Sequence, residues 1–407
     1  MNPWLRGAIP STMSMEQALQ LIPRVVLIAN SGWNVYNFRM NLIESLTLQG
    51  FSVAVLAPED EYSPLIRQSG LCELIRLNHL KSTGTNPAQD LMLLRELQHI
   101  LKREKPDAIF TFTLKPNIFG SLVAKRLNIP VIPTVTGLGY SFLRKNWLNW
   151  VVQQMYSRAF RGLDKVFFHN QSDYELLKKL RILQHGQGIV VGGSGVDTNY
   201  FQVSAVPHQK PFVFLFLGRL LYDKGLAEFA LAAEQIQRNT PNVEFWVAGS
   251  YQPEHPAAIP TEEFQPWVNR GVIQYFGQVE DVRPLISKAQ VVVLPSYREG
   301  MPRAILEAMS MGRPVIATDV PGCRDAVQHG WNGWLSKPRS VEHLEQCLRH
   351  AMRQNQETLQ EMGNNGRERA LDFFDLHLVQ QQYLNRLQAI HSFYAKASAV
   401  GKRTPVL

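Results

Sequence analysis

Cysteine is scarce: three in 407 residues, Cys72, Cys323 and Cys347. An odd count at wide spacings fits neither a disulfide framework nor a zinc pattern, so a reducing compartment is the simplest setting. No run reaches the roughly 20 apolar residues a membrane-spanning helix needs. The opening MNPWLRGAIPSTMSMEQALQ lacks the basic start, apolar block and small-residue cleavage site of a secretory signal. These absences point to a cytoplasmic protein. No helix-turn-helix spacing, zinc finger or aromatic RNA-binding signature occurs, which argues against nucleic acid as a partner. Asp-x-Asp, the paired carboxylates that would hold a divalent ion, is also missing. What the chain does have is positive charge, a net +8. That is compatible with an anionic membrane surface without requiring one.

Hydrophobic residues make up 45% and charged residues 19%, the balance of a folded protein. Short apolar runs alternate with helical periodicity. RVVLIAN (24–30), SVAVLAP (52–58), DAIFTF (107–112), VIPTV (131–135) and DKVFFHN (164–170) read as buried strands, with amphipathic helices between them. The segment 192–211 is rich in Gly, Ser, Pro and polar residues and reads as an interdomain connection. The alternation then restarts with FVFLFLG, VEFWVAG, VIQYFG, VVVLP and PVIAT. Continuous apolar strands separated by helices imply parallel sheets covered on both faces. The expected fold is therefore α/β, with two facing Rossmann-like doubly wound domains and a cleft between them. The expected division is an N-terminal extension (1–23), a first domain (24–205), a second (206–372) and a C-terminal helix (373–407) free to pack back on the first domain. Ligands in such sheets bind beyond the carboxyl ends of the strands.

Two constellations carry chemistry. In FLGRLLYDKG (216–225), Arg219 and Lys224 follow a strand within one loop. Two cations there are either surface charges or the groups that neutralise a leaving diphosphate. In PSYREGMPRAILEAMSMGRPVIATDVPG (295–322), Glu299 lies in a loop after an apolar strand. Pro302 suits a helix start, and Glu307 lies inside the helix. Backbone N–H groups at 300–303 would favour an anion, and one carboxylate can accept both hydroxyls of a ribose. Taken alone, two glutamates so spaced read mainly as helix-surface charges; their surroundings change that.

With their surroundings, these residues resemble the family 4 retaining glycosyltransferases of the GT-B fold, over roughly Val25 to Leu371. SGWNVYNFRMNLIESL, FTLKPNIFGSLVAKRL, TVTGLGYSFL and FFHNQSDYELL add a likeness to one branch of that family. The branch extends lipid-linked oligosaccharides and includes N-acetylgalactosaminyltransferases acting on polyprenyl-diphosphate sugars. The resemblance implies that Arg219 and Lys224 bind the donor diphosphate, Glu307 holds the ribose and Glu299 contacts the donor sugar. Gly300, Met301, Pro302 and Arg303 would complete the donor site. Ser31, Gly32, Gly137 and Gly139 would close over the diphosphate and acceptor, although the two later glycines equally suit an ordinary strand-to-helix turn. Many relatives carry two adjacent glycines where this chain has Ser31–Gly32–Trp33, and a His where it has TVTGLGY. Arg39 is either a contact to the acceptor diphosphate or a solvent-facing helix arginine. His169, closing a strand, reads as a packed histidine.

The expected reaction moves a hexose or N-acetylhexosamine from a UDP-sugar, or another nucleotide-diphosphate sugar, to a glycan acceptor with retention of configuration, with no metal or cofactor. The acceptor would be a polyprenyl-diphosphate-linked glycan in surface polysaccharide or glycoconjugate assembly. The partners are thus the nucleotide-sugar donor, the glycan or lipid-linked glycan acceptor and an anionic membrane surface. That surface would be the cytoplasmic face, approached through FLRKNWLNWVVQQMYSRAFR (142–161). The same segment could instead bury its aromatics in its own domain. A nucleotide-sugar epimerase of the same fold and a non-catalytic nucleotide-sugar-binding subunit are the competing readings.

Overall fold

The computed structural model describes residues 22–81, 86–139, 147–208 and 210–399, side chains of 391–399 excepted. The N-terminal extension, but for its last two residues, lies outside them. The chain separates into two compact units. One gathers the described parts of 1–169, 173–191 and 380–407, and the other 170–172 and 192–379.

The first unit holds a seven-stranded sheet in the order β3-β2-β1-β4-β5-β6-β7. Its strands are β1 Arg24–Ile28, β2 Ser52–Ala57, β3 Glu73–Arg76, β4 Ala108–Phe112, β5 Val131–Val135, β6 Val166–Phe168 and β7 Gly188–Val190. All pair in parallel, with Ile28 opposite Thr111 and Phe112 opposite Thr134. β4 and β5 are buried at every residue, as strands covered on both faces must be. The helix after β1, Gly32–Phe38, is interrupted at Arg39 (φ −124°) before Met40–Leu48 continues. After β4 the chain passes Thr113 at φ +74° and forms one π-helical turn, Pro116–Gly120, before Ser121–Arg126. A β-branched residue at positive φ is uncommon, and π-turns concentrate near functional sites.

The second unit repeats the plan with six parallel strands in the order β10-β9-β8-β11-β12-β13. These are β8 Phe212–Leu217, β9 Val243–Ala248, β10 Gln274–Tyr275, β11 Val291–Leu294, β12 Val315–Thr318 and β13 Gly333–Ser336. Each unit has its own apolar core. The two sheets thus give the α/β architecture expected from the sequence, two Rossmann-like domains in series.

The unit boundaries differ from those read from sequence. Residues 192–205 lie with the second unit because their backbone is hydrogen-bonded there: Val196 N–H donates to Phe374 O (2.8 Å), and Leu376 N–H to Val196 O (2.9 Å). The helix Leu376–Ala399 joins the first unit only from Gln380, whose side chain donates to Asn41 O (2.8 Å).

Arg313, fully buried in the second unit, is solvated by the backbone instead of a carboxylate. It donates to Ile286 O (2.9 Å), Ser204 O (2.7 Å), Met311 O (3.1 Å) and Ser287 O (3.0 Å). Burial pushes its pKa down to about 10, so it stays charged at neutral pH. Arg313→Met removes these bonds, though Ile286 O and Met311 O keep backbone donors in Ala289 and Ser204. It should cost about 3 kcal/mol, read as a lower denaturant midpoint in urea unfolding.

Candidate functional site

In the second unit, strand order reverses between β8 and β11, the place where ligands bind beyond the strand ends of open α/β sheets. The two strands are neighbours, Val293 opposite Phe216, so the loops that follow them emerge side by side. After β8 the chain passes Gly218 and Arg219 and closes a 3-10 turn, Tyr222–Lys224, at Gly225. Gly225 has φ +74°, and a Cβ there would lie 2.1 Å from the carbonyl oxygen of Pro295. Only glycine lets the two loops touch. Tyr297 fastens them further: its N–H donates to Asp223 O (2.9 Å), and its hydroxyl to Glu228 Oε1 (2.5 Å).

The consequence is an ion pair between the two motifs: Lys224 Nζ donates to Glu299 Oε1 at 2.5 Å, both side chains largely shielded from solvent. Arg219 lies on the same loop as Lys224. The helix Arg303–Ser310 starts with Pro302 as its N-cap, one residue later than Pro302 as first helical residue would have it. One turn on, Glu307 pairs with Arg303 (3.0 Å). Burial raises the Glu307 pKa above the usual carboxylate value, and Arg303 opposes that rise. Gly300 O accepts from Asn170 Nδ2 (2.7 Å), and Met301 is buried against Gly193. Asp325 accepts from the N–H groups of Gln171 (2.8 Å) and Gly322 (2.9 Å). Arg219, Lys224, Glu299–Arg303 and Glu307 therefore belong to one unit, on the loops after β8 and β11 and the helix that follows β11.

The remaining sequence candidates lie in the first unit. Ser31 accepts from Asn34 N–H (3.1 Å), and Asp60 takes the N–H of Trp33 (2.8 Å), so carboxylate and hydroxyl occupy this helix start. Gly137 and Gly139 follow β5 with φ +139° and +63°, and Leu138 N–H between them donates to Asp173 (3.1 Å). Arg39 is buried, 3% exposed, with its guanidinium 4.0 Å above the Phe112 ring. In the helix Trp147–Phe160, Tyr156 and Phe160 face the core while Trp147 and Trp150 are 77% and 63% exposed. Arg144 and Lys145, from the same sequence segment, lie outside the described residues. Among the described residues no helix is long and apolar enough to cross a membrane, and no group of three or more His, Cys, Asp and Glu is placed to hold a metal ion.

Several residues were not singled out in the sequence: Asn170, Asp325, Glu228 and Tyr297. Asn170 could have been suspected from its place just past an apolar strand. Glu228 reads as a helix-surface charge until Tyr297 is placed over it.

Comparison with known proteins bears on this geometry. Residues 24–170 match the family described as "Glycosyl transferase 4-like", and residues 211–354 match "Glycosyl transferases group 1". The chain is a family 4 glycosyltransferase. The glycosyltransferase is 26% identical over 378 residues to the N,N'-diacetylbacillosaminyl-diphospho-undecaprenol alpha-1,3-N-acetylgalactosaminyltransferase of Campylobacter jejuni, covering 89% of this chain and 97% of that protein. It is also 26% identical over 303 residues to the Escherichia coli UDP-Gal:alpha-D-GlcNAc-diphosphoundecaprenol alpha-1,3-galactosyltransferase, covering 71% of this chain and 76% of that one. Its fold is that of sucrose-phosphate synthase from Thermosynechococcus elongatus (TM-score 0.74, 20% identity, 91% of this chain and 99% of that one). It is likewise that of Anabaena HepE in complex with UDP (TM-score 0.72, 18% identity, 90% and 100%). The fold is therefore GT-B.

Removing each member of the site should separate ground-state binding from transition-state stabilisation. Lys224→Ala should lower kcat about 100-fold with a smaller effect on donor KM, because leaving-group charge develops during the reaction. Glu307→Ala should chiefly raise donor KM. Steady-state kinetics over donor concentration check both, and wild-type values in both variants would remove these residues from the site.

Proposed function

We propose that this glycosyltransferase moves a hexose or N-acetylhexosamine from a UDP-sugar to a polyprenyl-diphosphate-linked glycan, with retention, at the cytoplasmic face of a membrane, in surface polysaccharide or glycoconjugate assembly. The observation that carries the reading is the Lys224–Glu299 pair at the β8/β11 switch point, beside Arg219. The near-full-length similarity to the Campylobacter transferase supports the acceptor class.

In this reading Arg219 and Lys224 take the donor diphosphate, and Glu299, released from part of its pairing with Lys224, turns to the donor sugar. Glu307 accepts from the ribose hydroxyls. Gly300 to Arg303 border the sugar and phosphates, while Ser31, Gly32, Gly137 and Gly139 serve the diphosphate and acceptor from the first unit. The bond from C1 to the diphosphate oxygen loosens first. The acceptor hydroxyl then attacks from the same face, and the departing phosphate oxygen takes its proton. Two fixed cations stabilise the leaving diphosphate, so the reading needs no divalent ion.

Exposed Trp147 and Trp150, three residues apart, share one face of their helix. Tryptophans so placed suit the headgroup level of a bilayer, where a lipid-linked acceptor is met.

Two outcomes follow. Transfer from a labelled UDP-sugar to an extracted lipid-linked acceptor, detected by mass spectrometry, should persist in EDTA. Complete loss restored by manganese or magnesium would count against cationic side chains as the neutralising groups, and conversion of the nucleotide sugar alone would favour an epimerase. The enzyme should also sediment with anionic vesicles at low salt and release as salt rises. Trp147→Ala with Trp150→Ala should weaken that binding about tenfold; unchanged sedimentation would sink the membrane assignment.

A further inference from the structure

Arg39 presents a physical problem. Its side chain is buried, and among the described residues it makes no ion pair and no side-chain hydrogen bond; its Nε is buried without a partner. A buried charge without a counterion is costly, and native proteins rarely keep one that nothing answers. Burial pulls its pKa down to about 10, which still leaves the guanidinium charged at neutral pH.

Its surroundings are built. The guanidinium lies 4.0 Å above Phe112, at the carboxyl end of β4, so the ring supports one face of the planar fork. Tyr383 backs the same layer: its ring packs on Phe110, Phe112 and Phe167 at centroid distances of 5.3, 6.3 and 4.9 Å, and its hydroxyl meets Thr134 Oγ1 at 3.1 Å. Phe112, Thr134 and Phe167 are consecutive partners across β4, β5 and β6, so they share one face of the sheet. Two residues beyond Phe167, strand alternation carries His169 to that face as well. His169 is 5% exposed, and its Nε2 is a second buried polar atom without a partner. Burial, with the Arg39 charge adding to it, holds the ring well below its ordinary pKa and therefore neutral. A single uncompensated cation beside a neutral imidazole lies where strand order reverses between β1 and β4.

We propose that Arg39, with His169 beside it and Tyr383 behind, forms an oxyanion subsite of the first unit that takes a phosphate of the acceptor. The inference rests on the glycosyl-transfer reading and deepens it. Phosphate chemistry could come from donor or acceptor; Arg219 and Lys224 already answer the donor from the second unit, which assigns the Arg39 subsite to the acceptor. The anion would supply the missing counter-charge, and Arg39 can meet two phosphate oxygens with its fork. His169, kept neutral, can donate one hydrogen bond without adding a second charge to an apolar layer.

The test measures binding without donor, so that it does not depend on turnover. Calorimetric titration would compare a short-chain prenyl-diphosphate N-acetylglucosamine with the matching uncharged alkyl N-acetylglucosaminide, with UDP as a third arm. Wild-type protein should prefer the diphosphate probe about 100-fold, and Arg39→Met should collapse that preference towards unity. Arg39→Lys should keep part of it, and UDP affinity should move little. Equal loss of both acceptor probes in Arg39→Met would indicate a structural role and overturn the subsite. Loss confined to UDP would move the phosphate to the donor and overturn the assignment, as would a wild-type protein that ignores the diphosphate probe. If Arg39→Met fails to fold, Arg39→Lys and His169→Gln carry the same comparison. Failure of the wild type to transfer sugar to either acceptor probe counts against glycosyl transfer itself. Transfer to both with equal KM counts against the subsite alone.

Discussion

Gly225 and Pro295 approach so closely that no side chain fits between them, and the meeting of Lys224 with Glu299 follows from that contact. Strands β8 and β11 are neighbours in space though far apart in sequence, so their following loops leave the sheet together. The missing Cβ lets those loops close on each other, and the Tyr297 bonds to Asp223 and Glu228 hold them there. Lys224 and Glu299 then meet because their backbones have nowhere else to go. The ion pair is a result of the loop contact, and its two charges stay within reach of a ligand at the strand ends.

The first unit solves a similar problem by different means. Its strand order also reverses next to the first strand, between β1 and β4. There the charged group comes from an interrupted helix and is supported from below by an aromatic layer, with no carboxylate partner among the described residues. One sheet offers a cation with its counter-charge already present. The other holds a buried cation that makes no ion pair among the described residues. Under the proposed reading, the first cation serves the donor and the second the acceptor.

Much of this was legible in the amino-acid order, for physical reasons. Central strands such as AIFTF and VVVL are buried on both faces, so their apolar runs are unbroken and easy to see. Three of the strands that were not visible, β3 (ELIR), β7 (GIV) and β13 (GWLS), all lie at sheet edges. β3 and β7 are only partly covered and so carry less of the pattern that betrays a strand, whereas β13 is mostly buried but short, with Gly and Ser at its ends. VIQYFG was read as a full strand, yet only Gln274–Tyr275 pairs, again at an edge. Spacing brings Glu299 and Glu307 to attention and, four residues before Glu307, Arg303, but not Lys224 as the partner of Glu299. For Arg39 the sequence left solvent and ligand equally open. Its burial depends on a break in the helix and on Tyr383, more than three hundred positions away, and no local pattern encodes either.

Tyr383 also orders events in time. The aromatic layer of Phe110, Phe112 and Phe167 belongs to the earlier part of the chain, but the ring that covers it is made near the end. A ribosome has finished the whole second unit before that cover exists. Until then Phe110, Phe112 and Phe167 lack the ring that packs on them, and uncovered apolar surface is open to misassembly. A message cut short after the second unit would yield a protein with the residues of the Gly225–Pro295 contact but without the ring that covers Phe110, Phe112 and Phe167.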